Sequence, residues 1–298
     1  MIEKSFQRYL MSKQSVDDRA LNQTVLSELK AHLTKKPISI VEIGAGIGTM
    51  LVRMLRWDML SGAEYILVDE MAENIHYGAR FIRKWAVDQG FEVKQTGSGS
   101  LHVFDDSHSI QAQFVQADVF EYLSNDPAPV DILIAHAFLD LMPLPEKLSQ
   151  LLSLTKKLAW LTINFDGVSA FEPEIDFELD KKIESLYHNS MDMRTGGGDS
   201  RAGRHLFKYL EEAGARLLAA GASDWVVYPR AGVYPADEAY FLNFILSFFD
   251  ETLKDHPDLE PAEFSLWLQT RRDQIKRGEL VYIAHQIDFL AEVNSLTV

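Results

Sequence analysis

Residues 38–43, Ile-Ser-Ile-Val-Glu-Ile, run directly into Gly44-Ala45-Gly46-Ile47-Gly48, and a helical pattern follows over 49–60. The β-branched run reads as a buried strand. Three glycines in five residues bring the backbone close to whatever lies beyond, which a Cβ would prevent. A glycine turn between a strand and a helix stands at the carboxyl end of the sheet, where open α/β sheets bind ligands.

The rest of the chain has to accommodate that unit. Further strands are expected at 64–69, 113–117, 130–135 and 158–163, with a helix over 71–89 and helical segments between the later strands. This alternation predicts an α/β fold with a doubly wound, mostly parallel sheet. Before it, residues 16–33 place Ala20, Leu21, Val25, Leu26, Leu29 and Leu33 on one face of an amphipathic helix, which Lys35, Lys36 and Pro37 end. Residues 91–111 alternate around Gly97-Ser98-Gly99 and suggest an inserted hairpin. The stretch 165–204 breaks the pattern. It opens on Glu172, Glu174, Asp176, Glu178 and Asp180, assigned here to solvent, and ends in Thr195-Gly196-Gly197-Gly198-Asp199, read as a helical insertion with a mobile loop and hinge. A helix at 204–213, strands near 216–219 and 225–228, helices at 237–249 and 261–276, and an apolar segment at 280–290 complete the chain. The expected organisation is one integrated domain: a helical lid over 1–37, a ligand-binding core over 38–164, a substrate cover over 165–204, and the remaining sheet with added helices over 205–298.

Charge and composition narrow the partners. The 298 residues carry 29 Lys and Arg against 44 Asp and Glu, a net charge of −15. Nucleic acid and anionic membranes both need a cationic face, so neither is expected as a partner. There is no cysteine, which removes disulfides, Cys-ligated zinc, iron–sulfur clusters and thiol nucleophiles. No apolar run reaches the ~18 residues of a membrane helix. The first ten residues include Glu3, Lys4 and Arg8 and no signal-like apolar core, so a soluble cytoplasmic protein is expected.

A phosphate-cradling dinucleotide loop is written Gly-x-Gly-x-x-Gly, which would put glycine at position 49. This chain has Thr49, a glycine one place earlier, and an acid, Glu42, two positions before the first glycine. A diphosphate disfavours that carboxylate, whereas an ammonium or sulfonium ligand tolerates it. With Glu42, Gly44, Gly46 and Gly48 the chain resembles the class I S-adenosylmethionine-dependent methyltransferases, whose first motif is an acidic residue followed by Gly-x-Gly-x-Gly. The resemblance spans residues 38–165. It implies a seven-stranded Rossmann-like sheet and S-adenosyl-L-methionine as cofactor, with the loop, Ala45 included, around its methionine portion. It implies that Glu42 orders the loop or meets the amino group through water. Asp69, with Glu70 beside it, would hold the ribose hydroxyls, and Asp118 with Val119 would meet the adenine. His136, in Ile134-Ala135-His136-Ala137, would pass under the cofactor near the sulfonium.

Direct in-line transfer to an oxygen or nitrogen of a small-molecule acceptor asks for orientation, desolvation and a proton acceptor. His136 and Asp166 are the candidate bases. Tyr9, Lys13 and Arg19 are candidates for a lid over the cofactor. Asp140, Asn164 and Asp166 near strand ends could form a divalent oxygen site, but isolated carboxylates at strand ends are common and no metal is expected. His188, His205, Arg201 and Arg204 flank the insertion and are weighed as substrate-facing against solvated, with the solvated reading at least as strong. Tyr240, Phe241, Phe244, Phe248 and Phe249 recur at helical spacing and read as core or as a homodimer face before a ligand box. Two competing functions are an NAD-dependent oxidoreductase, against which Thr49 and Glu42 count, and a catalytically silent cofactor-binding scaffold.

Overall fold

The computed structural model describes residues 5–33 and 37–293; Lys35 and Lys36, with which the first amphipathic helix was expected to end, lie outside them. The chain begins with three short helices, α1 (Phe6–Ser12), α2 (Gln14–Ala20) and α3 (Gln23–His32). The single helix expected over 16–33 is therefore broken. Asn22 breaks it, because its side chain accepts hydrogen bonds from the Thr24 and Val25 amides at 3.0 and 3.1 Å and caps α3. Its own amide donates to Asp288 at 2.8 Å, outside any helix.

The sheet then builds in the expected alternation: β1 (Ile38–Ile43), α4 (Thr49–Arg56), β2 (Gly62–Asp69), α5 (Ala72–Asp88) and the inserted hairpin β3 (Glu92–Gly97) and β4 (Ser100–Phe104). Next come β5 (Ser109–Gln116), α6 (Val119–Ser124), β6 (Val130–His136), a 3-10 turn (Leu139–Leu141), α7 (Leu144–Leu152) and β7 (Thr155–Glu172). The last part holds α8 (Phe177–Asp192), α9 (Ala202–Glu212), β8 (Arg216–Ala222), β9 (Trp225–Val227), α10 (Glu238–Leu253), α11 (Pro261–Lys276) and β10 (Val281–Glu292).

The ten strands form one sheet in the order β3-β4-β5-β2-β1-β6-β7-β10-β8, with β9 on β10. From β5 to β7 all pairings are parallel, and β10 runs antiparallel to both its neighbours β7 and β8. This is a doubly wound Rossmann-like sheet whose strand order reverses between β1 and β6, the place where such sheets open a ligand crevice. Alternation along β1 divides the core: Ile40 faces the helices α1 to α5, α10 and α11, while Val41 and Ile43 face α7 and α9.

Two departures from the sequence reading matter for the site. β7 continues to Glu172, so residues 165–172, expected as the start of a helical insertion, are strand. Within it Ile163 adopts φ 57°, and the pairing with β10 slips between Ile287 and Phe289. Asp288 sits in that slip, accepting from the Ile163 amide at 2.7 Å. Such a bulge shifts the side-chain parity of everything beyond it by one. The acidic run is also not wholly solvated. Asp180 is buried, accepting from Trp267 Nε1 at 2.5 Å and Arg271 Nη2 at 2.6 Å, and so pins α8 to α11. Among the described residues no helix is long and apolar enough to cross a membrane.

Candidate functional site

The glycine turn is held open by backbone geometry. Gly44, Gly46 and Gly48 have φ of 60°, 57° and 76°, a region that side-chain-bearing residues avoid. A Cβ on Gly48 would also lie 2.6 Å from Ile82 Cδ1 and 2.7 Å from Leu67 Cδ2. Asp69, at the end of β2, fixes the loop from the side. Its carboxylate accepts from the Gly46 amide at 2.7 Å, the Met71 amide at 2.9 Å and Asn74 Nδ2 at 3.0 Å. Burial raises the Asp69 carboxyl, and these three donors oppose the shift.

The loop forms one side of a cavity of about 820 Å³ at the carboxyl ends of the central strands. Glu42, Gly44, Ala45, Gly46, Asp69, Glu70, Asp118, Val119 and His136 all line it; Gly48 does not, and instead sets the turn into α4. Glu42 is buried and accepts from the Tyr65 hydroxyl at 2.7 Å. Burial pushes its carboxyl up to about 8, against the Tyr65 hydrogen bond and the charge of Arg53. Asp118 is exposed on the rim and caps α6, accepting from the Phe120 amide at 2.8 Å. One carboxylate thus serves as helix cap and cavity lining together.

The N-terminal helices cover the cavity. Tyr9 and Lys13 line it, but Arg19 does not: its guanidinium is held by Glu238 at 2.6 Å, so Arg19 ties α2 to the start of α10 outside the cavity. Asp17, fully buried, anchors the lid to the sheet. It accepts from His136 Nε2 at 3.0 Å and Trp225 Nε1 at 2.9 Å, with Lys13 Nζ at 3.1 Å and Arg53 Nη2 at 3.9 Å. Although burial opposes it, the Lys13 and His136 contacts hold the Asp17 carboxyl well below the usual range, so it is ionised.

His136 does not fit the role of base. With Asp17 ionised, Nε2 carries the proton and donates to it, and Nδ1 accepts from the Thr162 hydroxyl at 2.8 Å. Neither nitrogen is left for a substrate. Burial drives the imidazole down to about 4. Between pH 6.5 and 4 the unfolded chain therefore binds a proton that the folded chain refuses, and stability falls as pH falls through that window, by up to about 1.4 kcal/mol per unit. Urea midpoints at pH 7, 6 and 5 are expected to drop faster for the native protein than for His136→Gln. Parallel slopes would refute this account of the imidazole.

Asp166 is no candidate base either, because it does not face the cavity. Strict alternation along β7 would put Asn164 and Asp166 on the cavity face with Thr162. The bulge at Ile163 reverses this and turns Ile163, Phe165 and Ser169 to the cavity. Asp166 instead binds Arg204 of α9, through Nε at 2.8 Å and Nη2 at 3.0 Å. Asn164 donates to the Leu161 and Ile287 carbonyls. The oxygen set Asp140, Asn164 and Asp166 is consequently not assembled. Arg204 is occupied by Asp166, and Arg201 and His205 line a separate surface pocket of about 440 Å³. His188 stands behind Ser169, 2.7 Å from its hydroxyl, and does not line the cavity.

The sequence reading missed the far side of the cavity, formed by Phe165, Ser169, Tyr187, Met191, Arg194, Trp225, Tyr282 and Gln286. Phe248 and Phe249, read as core or dimer face, belong to this wall as well, whereas Phe241 packs in the core. The only sequence signal for it is the density of aromatic residues in α10.

No protein-family model matches the chain, and no curated protein sequence matches it. Solved structures overlap with its fold at low identity. A Bacillus halodurans protein provisionally assigned as a methyltransferase is 13% identical, with 91% of this chain and 100% of that one covered at a TM-score of 0.48. A cyclopropane synthase of Mycobacterium tuberculosis is 9% identical, covering 98% and 100% at 0.45. An Anaeromyxobacter dehalogenans protein provisionally assigned as a type II methyltransferase is 13% identical, covering 92% and 97% at 0.49. Overlaps of this size carry no inference about ligand or reaction.

Proposed function

We propose that this chain is an S-adenosylmethionine-dependent methyltransferase acting on an oxygen or nitrogen of a small molecule. The observation that carries the reading is the left-handed glycine loop pinned by Asp69, with Glu42 and Asp118 on the same cavity. Three carboxyl groups around one cavity suit a cationic ligand with hydroxyls to be held, since a carboxylate accepts two hydrogen bonds at once. At about 820 Å³ the cavity has room for a nucleoside-sized cofactor and a small acceptor together.

The chain's own residues would do the following. Gly44 to Gly46 would bring backbone against the amino-acid end of the cofactor, Asp69 with Glu70 would take the ribose hydroxyls, and Asp118 would meet the base. The bound cofactor supplies an activated methyl group. Tyr9 and Lys13, fastened through Asp17 to His136, would exclude water from above, and the far wall would orient the acceptor nucleophile for in-line attack.

Calorimetric titration with S-adenosylhomocysteine tests the reading. Stoichiometric binding with a dissociation constant in the micromolar range is expected. No heat at millimolar ligand would remove the proposal.

A further inference from the structure

We propose that the far chamber of the cavity takes a hydroxyarene, a flat uncharged ring bearing a phenolic hydroxyl, and that Asp140 receives the proton of that hydroxyl. The inference rests on the methyltransferase reading above and names the acceptor class for it.

The walls set the shape. Phe165, Trp225, Phe248 and Phe249, with the rings of Tyr187 and Tyr282, line the chamber. Aromatic walls favour a flat apolar ligand. Trp225 Nε1 is taken by Asp17, but other polar groups on the chamber have no such partner. The hydroxyls of Tyr9, Tyr187 and Tyr282 make no hydrogen bond with any described residue, and Gln286 Oε1 is buried without one. A buried acceptor is ordinarily satisfied, so Gln286 Oε1, with the three tyrosine hydroxyls of the cavity beside it, offers donors and acceptors to a ligand's polar edge.

Asp140 lines the same cavity from the 3-10 turn after β6, and its carboxylate accepts from no other described side chain. Burial raises it to about 6, against the pull of Arg194 and Lys13 and with a push from Asp199. Tyr9 and Tyr187 also stand within electrostatic reach of it. These neighbours select against ions. A carboxylate or phosphate ligand would face Asp140, and of the cations on the cavity Lys13 is already held by Asp17 while the charge of Arg194 is offset by Asp140 itself. An ammonium ligand would face Lys13 and Arg194. A phenol titrates near 10, as tyrosine does, about four units above Asp140, a gap that closes as its oxygen bonds to carbon. An aliphatic alcohol is much further away. In the step, the acceptor oxygen bonds to the methyl carbon, the carbon–sulfur bond breaks with its electron pair left on sulfur, and the hydroxyl proton passes to Asp140.

The test uses the full chain saturated with S-adenosylhomocysteine and 2-naphthol as probe. Calorimetry is expected to show 2-naphthol binding at least tenfold tighter than 2-naphthoate or 2-naphthylmethylammonium. Tyr187→Phe and Gln286→Leu should each weaken it about five- to tenfold. Equal or tighter binding of either ion, or indifference to both variants, overturns the acceptor class. With S-adenosylmethionine, transfer to 2-naphthol should rise with pH to a plateau with a midpoint near 6. Asp140→Asn should lose this transfer by at least about a hundredfold while binding the probe within about threefold. A variant that keeps the rate overturns the role of Asp140. Failure to bind S-adenosylhomocysteine would strike the methyltransferase reading itself, whereas its binding without affinity for 2-naphthol strikes only the hydroxyarene assignment.

Discussion

Asp17→Ala is expected to destabilise the protein by about 3–5 kcal/mol, the cost of removing one partner from a buried charge network. Asp17 is 0% exposed and meets groups from three other parts of the fold: His136 at the end of β6, Trp225 in β9 and Arg53 in α4. Deleting the carboxylate leaves Lys13 as a buried cation, while Arg53 keeps Asp18 at 2.6 Å with its Nη2 still lacking a hydrogen bond. The Trp225 and His136 N–H groups lose their acceptor in the same stroke. Urea denaturation reads the effect as a fall in midpoint at unchanged slope. Should Asp17→Ala fail to fold, Asp17→Asn keeps the volume, restores one acceptor and should retain part of the loss. A loss under about 1 kcal/mol for Asp17→Ala would mean that the lid is not fastened in this way.

Asp69→Ala is expected to weaken S-adenosylhomocysteine binding by about a hundredfold or more while changing stability far less. Charge-assisted hydrogen bonds contribute about 1.5–3 kcal/mol each, and this carboxylate would lose two functions together. It would no longer accept from the ribose, and the Gly46 amide would lose the partner that holds the loop at φ 57°. Asp118→Ala separates these functions, because Asp118 is exposed and caps only the short helix α6. A loss of about tenfold is expected there. Calorimetric titration of both variants gives the ranking, and equal effects would contradict the loop-pinning role of Asp69.

The glycine-loop half of the cavity was legible because its signals are local. The strand at 38–43, three glycines and an acid at or just after the end of each of two further strands each lie within a few residues, and all of these but Gly48 border the cavity. Asp166, expected near a strand end as a base, does not. A single positive-φ residue at Ile163, stabilised by Asp288 more than a hundred residues later, inverts the parity, and nothing in the sequence near 163 announces it. The far chamber is non-local in a stronger sense, since Tyr9, Tyr187 and Tyr282 come from α1, α8 and β10. Charge misled in one more way. Asp180 read as solvent-facing, because its cation, Arg271, lies far away in sequence.

The central claim is that this chain moves a methyl group, and labelled transfer tests it most directly. The protein is incubated with S-adenosylmethionine carrying a deuterated methyl group and a metabolite extract, and the products are read by mass spectrometry. A small molecule gaining one labelled methyl, and absent when Asp69→Ala is used, is the expected result. Tight binding of the cofactor with no labelled product from any extract would contradict the claim and leave a cofactor-binding protein in its place.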